Sequence, residues 1–178
     1  MGLIMTIQID SREKPKERDR IEKQFDKLGV EHYVSKCYVG DYMNLDNPRI
    51  VIDRKQDLNE ICGNVCQQHE RFRNELKRAK DNGIQIIILC EQGDDVQSLV
   101  DVWFWENPRK NAYKWVMKNG HPMKVKCDKP PLQGKQLYKS LCTMEERYGV
   151  RFEFCNKKET GRKIMELLGG GPNDTGMG

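Results

Sequence analysis

The chain has 178 residues, of which 37% are hydrophobic and 33% charged, with a net charge of +4 at neutral pH; this balance excludes a disordered chain and suits one well-filled domain. No apolar stretch nears the roughly 20 residues that cross a bilayer, and the first eight lack the basic and long apolar regions of a secretory leader, so a cytoplasmic protein without a membrane partner is expected. Seven cysteines, odd in number and scattered from Cys37 to Cys155, point to reduced thiols rather than a disulfide framework.

In chain order, residues 5–9 alternate and are rich in β-formers, predicting a first strand that ends at Asp10. Ile21, Phe25 and Leu28 then recur at helical spacing, and Gly29 closes that helix as a C-terminal cap. Residues 32–38 read as a strand, Val39-Gly40-Asp41 as a bend, and residues 49–53 as a short strand after a turn at Asp46-Asn47-Pro48. Helical spacing of Leu58, Ile61, Val65, Phe72, Leu76 and Ala79 predicts a helix over 57–82, with Gly63 marking a kink or break and Asn82-Gly83 the end. Residues 84–89 form a continuous apolar run, the pattern of a central strand covered on both faces.

Residues 103–131 have weak periodicity, three Trp and much basic charge, and read as an irregular excursion from the core. A helix over 134–148, a strand over 150–155 and a last helix over 156–168 follow; 169–178 reads as a disordered tail. The order predicts a single α/β domain over 1–168, with a mixed central sheet flanked by helices.

Charge is unevenly spread. Between Arg109 and Lys139 stand nine Lys or Arg against one acid, Asp128, a local excess of eight positive charges that suits a polyanionic partner. Lysine dominates there, so Lys124, Lys126 and Lys129 are expected to track phosphates rather than read bases.

Acidic residues cluster differently. Asp41 follows a Gly-containing bend and Asp53 ends a short strand, so a hairpin between them would set the two carboxylates side by side. Lys55, at i+2 from Asp53, would point to the same face. Hard cations such as Mg²⁺ or Mn²⁺ favour such carboxylates, and an ammonium beside them can orient or deprotonate an attacking water and offset charge on a phosphate.

These residues resemble a known family. Gly40-Asp41-Tyr42 and Asp53-Arg54-Lys55 are similar to the Gly-Asp…Glu-Arg-Lys signature of XPF-type endonucleases, PD-(D/E)XK enzymes with a restriction-endonuclease-like fold. Asp10-Ser11-Arg12-Glu13 resembles the element closing that family's first strand, and Ile87-Ile88-Leu89-Cys90-Glu91 its later core strand, so the likeness spans residues 7–91. The short form with a basic second half is most similar to phage-encoded members. The resemblance implies a metal-dependent DNA endonuclease acting on branched, flapped or partly single-stranded DNA and leaving a 5′-phosphate. It makes Asp10, Asp41 and Asp53 metal ligands, Lys55 the catalytic lysine, and Glu13, Arg54 and the DNA-facing Arg12 supports of the site.

The sequence departs from the family in two residues: Asp53 replaces a Glu, and Asn59 stands where an acid is expected four positions after Lys55, with Asp57 nearer. No tandem helix-hairpin-helix segment is recognised, so junction specificity is not carried over, and homodimerisation is left open. The rival reading is a nuclease-like module that holds DNA or a protein without cutting; presence of Asp41, Asp53 and Lys55 together favours the enzyme.

Other residues have competing readings. Arg71 and Arg73 belong either to a solvated helix face or to a phosphate-binding rim. Cys62, Cys66 and His69 share one face of a continuous helix, where a zinc site is outweighed by ordinary core packing. The three Trp are expected to pack a small satellite core rather than stack on bases, and His121 to be a loop residue.

Overall fold

A computed structural model describes residues 5–66, 68–109, 113–128 and 130–169. Six strands form one mixed sheet in the order β2-β1-β3-β4-β5-β8. They are β1 (Thr6–Asp10), β2 (Glu31–Ser35), β3 (Tyr42–Asn44), β4 (Asn47–Lys55), β5 (Gln85–Cys90) and β8 (Arg151–Phe154). The β1–β2, β4–β5 and β5–β8 pairs are parallel, and β3 joins the two halves antiparallel to both β1 and β4.

Alternation along the strands divides the core between the two faces of the sheet. Val51, Ile86, Ile88 and Cys90 pack with α2 (Leu58–Cys66), α3 (His69–Asp81) and α4 (Gly134–Tyr148). Ile7, Ile9, Ile52, Ile87 and Leu89 pack on the opposite face with α1 (Pro15–Leu28) and α5 (Thr160–Leu168). Adjacent residues of β4 and β5 therefore enter different cores, which is why residues 84–89 show no polar alternation.

Three predicted elements are corrected. The helix over 57–82 is two helices, and the break lies between Cys66 and His69 rather than at Gly63, which sits inside α2. Gly63 lends its carbonyl to the Gln68 N–H and so helps to close that turn. The last helix begins at Thr160 rather than 156. Finally, the excursion over 103–131 is not irregular. A 3-10 turn at Leu99–Phe104 packs near α4, and β6 (Tyr113–Lys118) and β7 (His121–Lys126) form a six-residue antiparallel hairpin, so His121 is a strand residue. Its turn is Asn119-Gly120, both at positive φ (53° and 78°), the combination that a tight two-residue hairpin demands. Lys110, Lys129 and residues 170–178 of the tail predicted over 169–178 lie outside the described residues.

Candidate active site

The carboxyl ends of β1 and β4 meet the start of β3 at one end of the sheet. Asp10, Asp41, Asp53 and Lys55 come together there around a cleft of about 910 Å³. Alternation sets the division of labour in Asp53-Arg54-Lys55. Val51 faces the α2–α3–α4 core, so Asp53 and Lys55 share its face and reach the cleft, while Arg54 follows Ile52 to the other side. Lys55 Nζ lies 3.0 Å from Asp53 Oδ2 and 5.7 Å from the centre of the Phe72 ring. Burial works against the Lys55 charge, but Asp53, Asp41 and Glu60 outweigh it and its pKa is raised. It is an ammonium ion at neutral pH.

Asp41 enters from the bend just before β3. Its N–H donates to Ile52 O (2.8 Å), its carbonyl accepts from Asp10 N–H (2.7 Å), and its Oδ2 accepts from Arg54 N–H (2.8 Å), tying β1, β3 and β4 together. The approach depends on Gly40, which has φ 69° and lies so close to β4 that a Cβ there would stand 2.2 Å from Val51 Cγ1. Burial, followed by the nearby Asp53 and Glu13, raises the Asp41 carboxyl well above its ordinary value. The site thus concentrates more carboxylate charge than Lys55 neutralises. This donor set fits a divalent cation of the Mg²⁺ type, which needs only one or two carboxylates and takes its remaining ligands from water and phosphate. Among the described residues no three His, Cys, Asp or Glu side chains are grouped to hold a metal by themselves.

Asp10 lines the cleft but is heavily engaged. Its Oδ2 accepts from Arg12 Nε (2.9 Å) and Nη2 (2.7 Å), and its Oδ1 accepts from the backbone N–H of Arg12 and of Cys37 (3.3 Å each). Arg12 also donates to Cys37 O (3.0 Å) while keeping one side on the cleft.

Beneath the cleft, Glu13 and Arg54 form a buried ion-pair network rather than lining the opening. Arg54, 7% exposed, donates to both Glu13 oxygens (2.9 and 3.0 Å) and to Glu91 Oε2 (2.9 Å). Glu91 also accepts from Arg20 and Thr160, and the Tyr42 hydroxyl donates to Glu13 (3.2 Å). Burial disfavours ionised Glu13, yet the Arg54 bonds prevail and its pKa falls. The network crosslinks α1, β3, β4, β5 and α5 and holds the strand ends that carry the site.

The cleft's outer wall is α3, of which sequence reasoning finds only Arg71. Glu75 and Arg78 follow it at helical spacing and line the same cleft. Burial raises the Glu75 carboxyl above its ordinary value, and Asp53 adds to the shift. The 3.6-residue repeat of this helix, with Phe72, Leu76 and Ala79 inward, could have pointed to Glu75. Glu60 is the acid of α2 that acts on Lys55, whereas Asp57 caps that helix by accepting from Glu60 N–H (2.8 Å). Asn59 Oδ1 is buried and finds no hydrogen-bond partner among the described residues.

The remaining candidates fall elsewhere. Arg73 is exposed and does not line the cleft, because two residues along a helix turn it to the far side from Arg71. The break before His69 removes the single helix face on which Cys62, Cys66 and His69 would have met. Trp105 belongs to the main core, and Trp103 stacks edge-on against Tyr138 with Lys135 over its ring. Trp115 is 69% exposed on β6, which overturns the satellite core expected for it. Lys124 and Lys126 stand exposed on β7.

A mixed sheet flanked by helices, with an acid-and-lysine cleft at its strand ends, makes this an α/β domain. The ERCC4 domain matches residues 9–167, and the chain belongs to that family. Among solved structures, XPF from Aeropyrum pernix superposes with a TM-score of 0.59 at 18% identity, and XPF from Aeropyrum pernix in complex with DNA with 0.59 at 19%. Each match covers 92% of this chain and 63% of the other, so this chain spans less than two thirds of those proteins. No curated protein matches the sequence.

Proposed function

We propose that this chain is a divalent-metal-dependent endonuclease that hydrolyses phosphodiester bonds in DNA, with branched, flapped or partly single-stranded DNA as its substrate class. The observation that carries the proposal is the convergence of Asp41, Asp53 and Lys55 on one cleft, with Lys55 Nζ 3.0 Å from Asp53. Membership of the ERCC4 family and the DNA named with one Aeropyrum XPF structure support the same reading.

Asp41 and Asp53 would hold the cation, Mg²⁺ or Mn²⁺, which supplies Lewis-acid polarisation of the phosphate and a more acidic water. Asp10 fixes Arg12 at the cleft edge, where the guanidinium can donate to a phosphate oxygen. Lys55, held charged by its carboxylate neighbours, donates hydrogen bonds to the attacking water or to the phosphate oxygen that gains charge. Arg71 and Arg78 on the rim add positive charge along the path of the backbone. Glu13, Arg54 and Glu91 position the strand ends.

A cleavage panel tests this reading. Single-stranded, duplex, flapped and branched DNA and matched RNA are incubated with Mg²⁺, with Mn²⁺ and with EDTA. Cleavage of DNA that requires the metal and is lost in Asp53→Asn is expected. Binding without cleavage under every condition would instead favour the non-cleaving module.

A further inference from the structure

Asn119-Gly120 turns β6 back onto β7 with Tyr113 opposite Lys126, Trp115 opposite Lys124 and Met117 opposite Pro122. These six residues share one face, since side chains alternate across a strand and directly paired residues point the same way. Tyr113 is 55%, Trp115 69% and Met117 71% exposed. A ribbon gains nothing for its own stability by holding two aromatic rings and a methionine in water. Lys124 and Lys126 share this face, and from Tyr113 to Lys126 there is no acid, so a partner covering the face is expected to carry negative charge. One lysine of the face, Lys124, sits 5.2 Å from the centre of the Tyr113 ring.

We infer that this hairpin face is a binding site for unpaired bases of single-stranded DNA, which stack on Trp115 and Tyr113 while Lys124 and Lys126 contact the flanking phosphates. The inference rests on the reading that the chain acts on DNA. Spacing distinguishes unpaired from paired DNA. Residues two apart on a strand are roughly 6.5–7 Å apart, about twice the 3.4 Å rise per base of a duplex strand. The two rings therefore suit bases that have left the stack, and a duplex would offer the face only its phosphates. Position agrees with that role. β5 runs parallel to β4 and leaves the sheet at the end that holds the cleft, and the hairpin is inserted before α4 carries the chain back to the start of β8.

The test measures binding of fluorescently labelled DNA in Ca²⁺, which is used to hold back cleavage, with three ligands of equal length: a single strand, a full duplex and a duplex bearing a single-stranded flap. Tyr113→Ala/Trp115→Ala should lose roughly tenfold or more in affinity for the single strand and the flap, and less than about threefold for the duplex. Trp115→Phe, which keeps a stacking ring, should retain most of the affinity. Equal losses on all three ligands, or no loss on any, would overturn the inference. So would unchanged DNA binding combined with a wild-type dimer that the double variant breaks in sedimentation, since the face would then belong to a second copy. Wild-type chain that binds none of the three would contradict the nuclease reading itself.

Discussion

At the end of β4, Asp53, Arg54 and Lys55 stand on a strand covered on both faces, whereas the lysines of β6 and β7 stand on a ribbon whose strands, among the described residues, pair only with each other. In the first region the two cores dictate where each side chain goes, so three adjacent charges acquire different tasks: Asp53 and Lys55 face the cleft and Arg54 anchors the floor. In the second, turn and cross-strand pairing define the shape and nearly every side chain is exposed. Charge that the core positions can act on one bond. Charge on the ribbon is spread along an exposed surface, where it would act on a polyanion as a whole, and substitutions should divide along the same line.

The largest effect is expected where a charge is most deeply embedded. Arg54→Ala leaves Glu13 and Glu91 buried without their common partner and should cost about 3–5 kcal/mol of stability, read from urea unfolding. A loss under about 1 kcal/mol would mean that the network relaxes without it. Gly40→Ala should follow at roughly 1–3 kcal/mol, because a Cβ there collides with Val51 and the position has φ 69°.

Stability at Asp41 depends on pH. Its folded pKa is raised, so its contribution to stability is full below the unfolded pKa and is lost as pH rises through the folded one. Ionised Asp41 therefore destabilises the metal-free chain at neutral pH. In EDTA at pH 7, Asp41→Asn should melt at a higher temperature than the wild type, with the gain shrinking as the buffer is made acidic. A lower melting temperature for the variant at pH 7 would contradict the charge crowding described at the cleft.

The hairpin should respond least in stability. Lys124→Gln/Lys126→Gln should change unfolding free energy by no more than about 0.5 kcal/mol. The same pair should flatten the dependence of log affinity on log salt by roughly 0.7–0.9 for each phosphate that is no longer neutralised. A salt titration on two unrelated DNA sequences checks this, and an unchanged slope would remove β7 from the DNA path.

How far each region could be read from sequence follows from the same contrast. Residues 84–89 announce a central strand because both faces of β5 are buried, and the i, i+2 spacing of Asp53 and Lys55 is enough to put them on one face. The family resemblance supplies Asp10, Arg12, Glu13 and Arg54, and the structure adds that the last two lie under the cleft. Glu75 is signalled only by the helical repeat of α3, because Asp53 and Lys55, which meet it in space, come from β4, 20 residues and more away in sequence. Tyr113, Trp115 and Met117 alternate with Lys114 and Lys118, and Met123 and Val125 with Lys124 and Lys126, so both strands carry a period-two sign on either side of the Asn119-Gly120 turn; the exposure of most side chains and the density of lysine make it read as loop. The break before His69 has no Gly or Pro to mark it.

On the reading proposed above, Asp41, Asp53 and Lys55 act together on a phosphodiester bond, with the two acids holding the cation and the lysine acting on water and phosphate. Single-turnover cleavage of a labelled flap DNA, measured beside Mn²⁺ affinity for wild type, Asp53→Asn and Lys55→Ala, tests it most directly. Asp53→Asn should lose both cleavage and Mn²⁺ affinity, while Lys55→Ala should lose about 10²–10⁴-fold in rate with Mn²⁺ affinity kept within a few-fold. Cleavage at the wild-type rate by either variant would contradict the assignment.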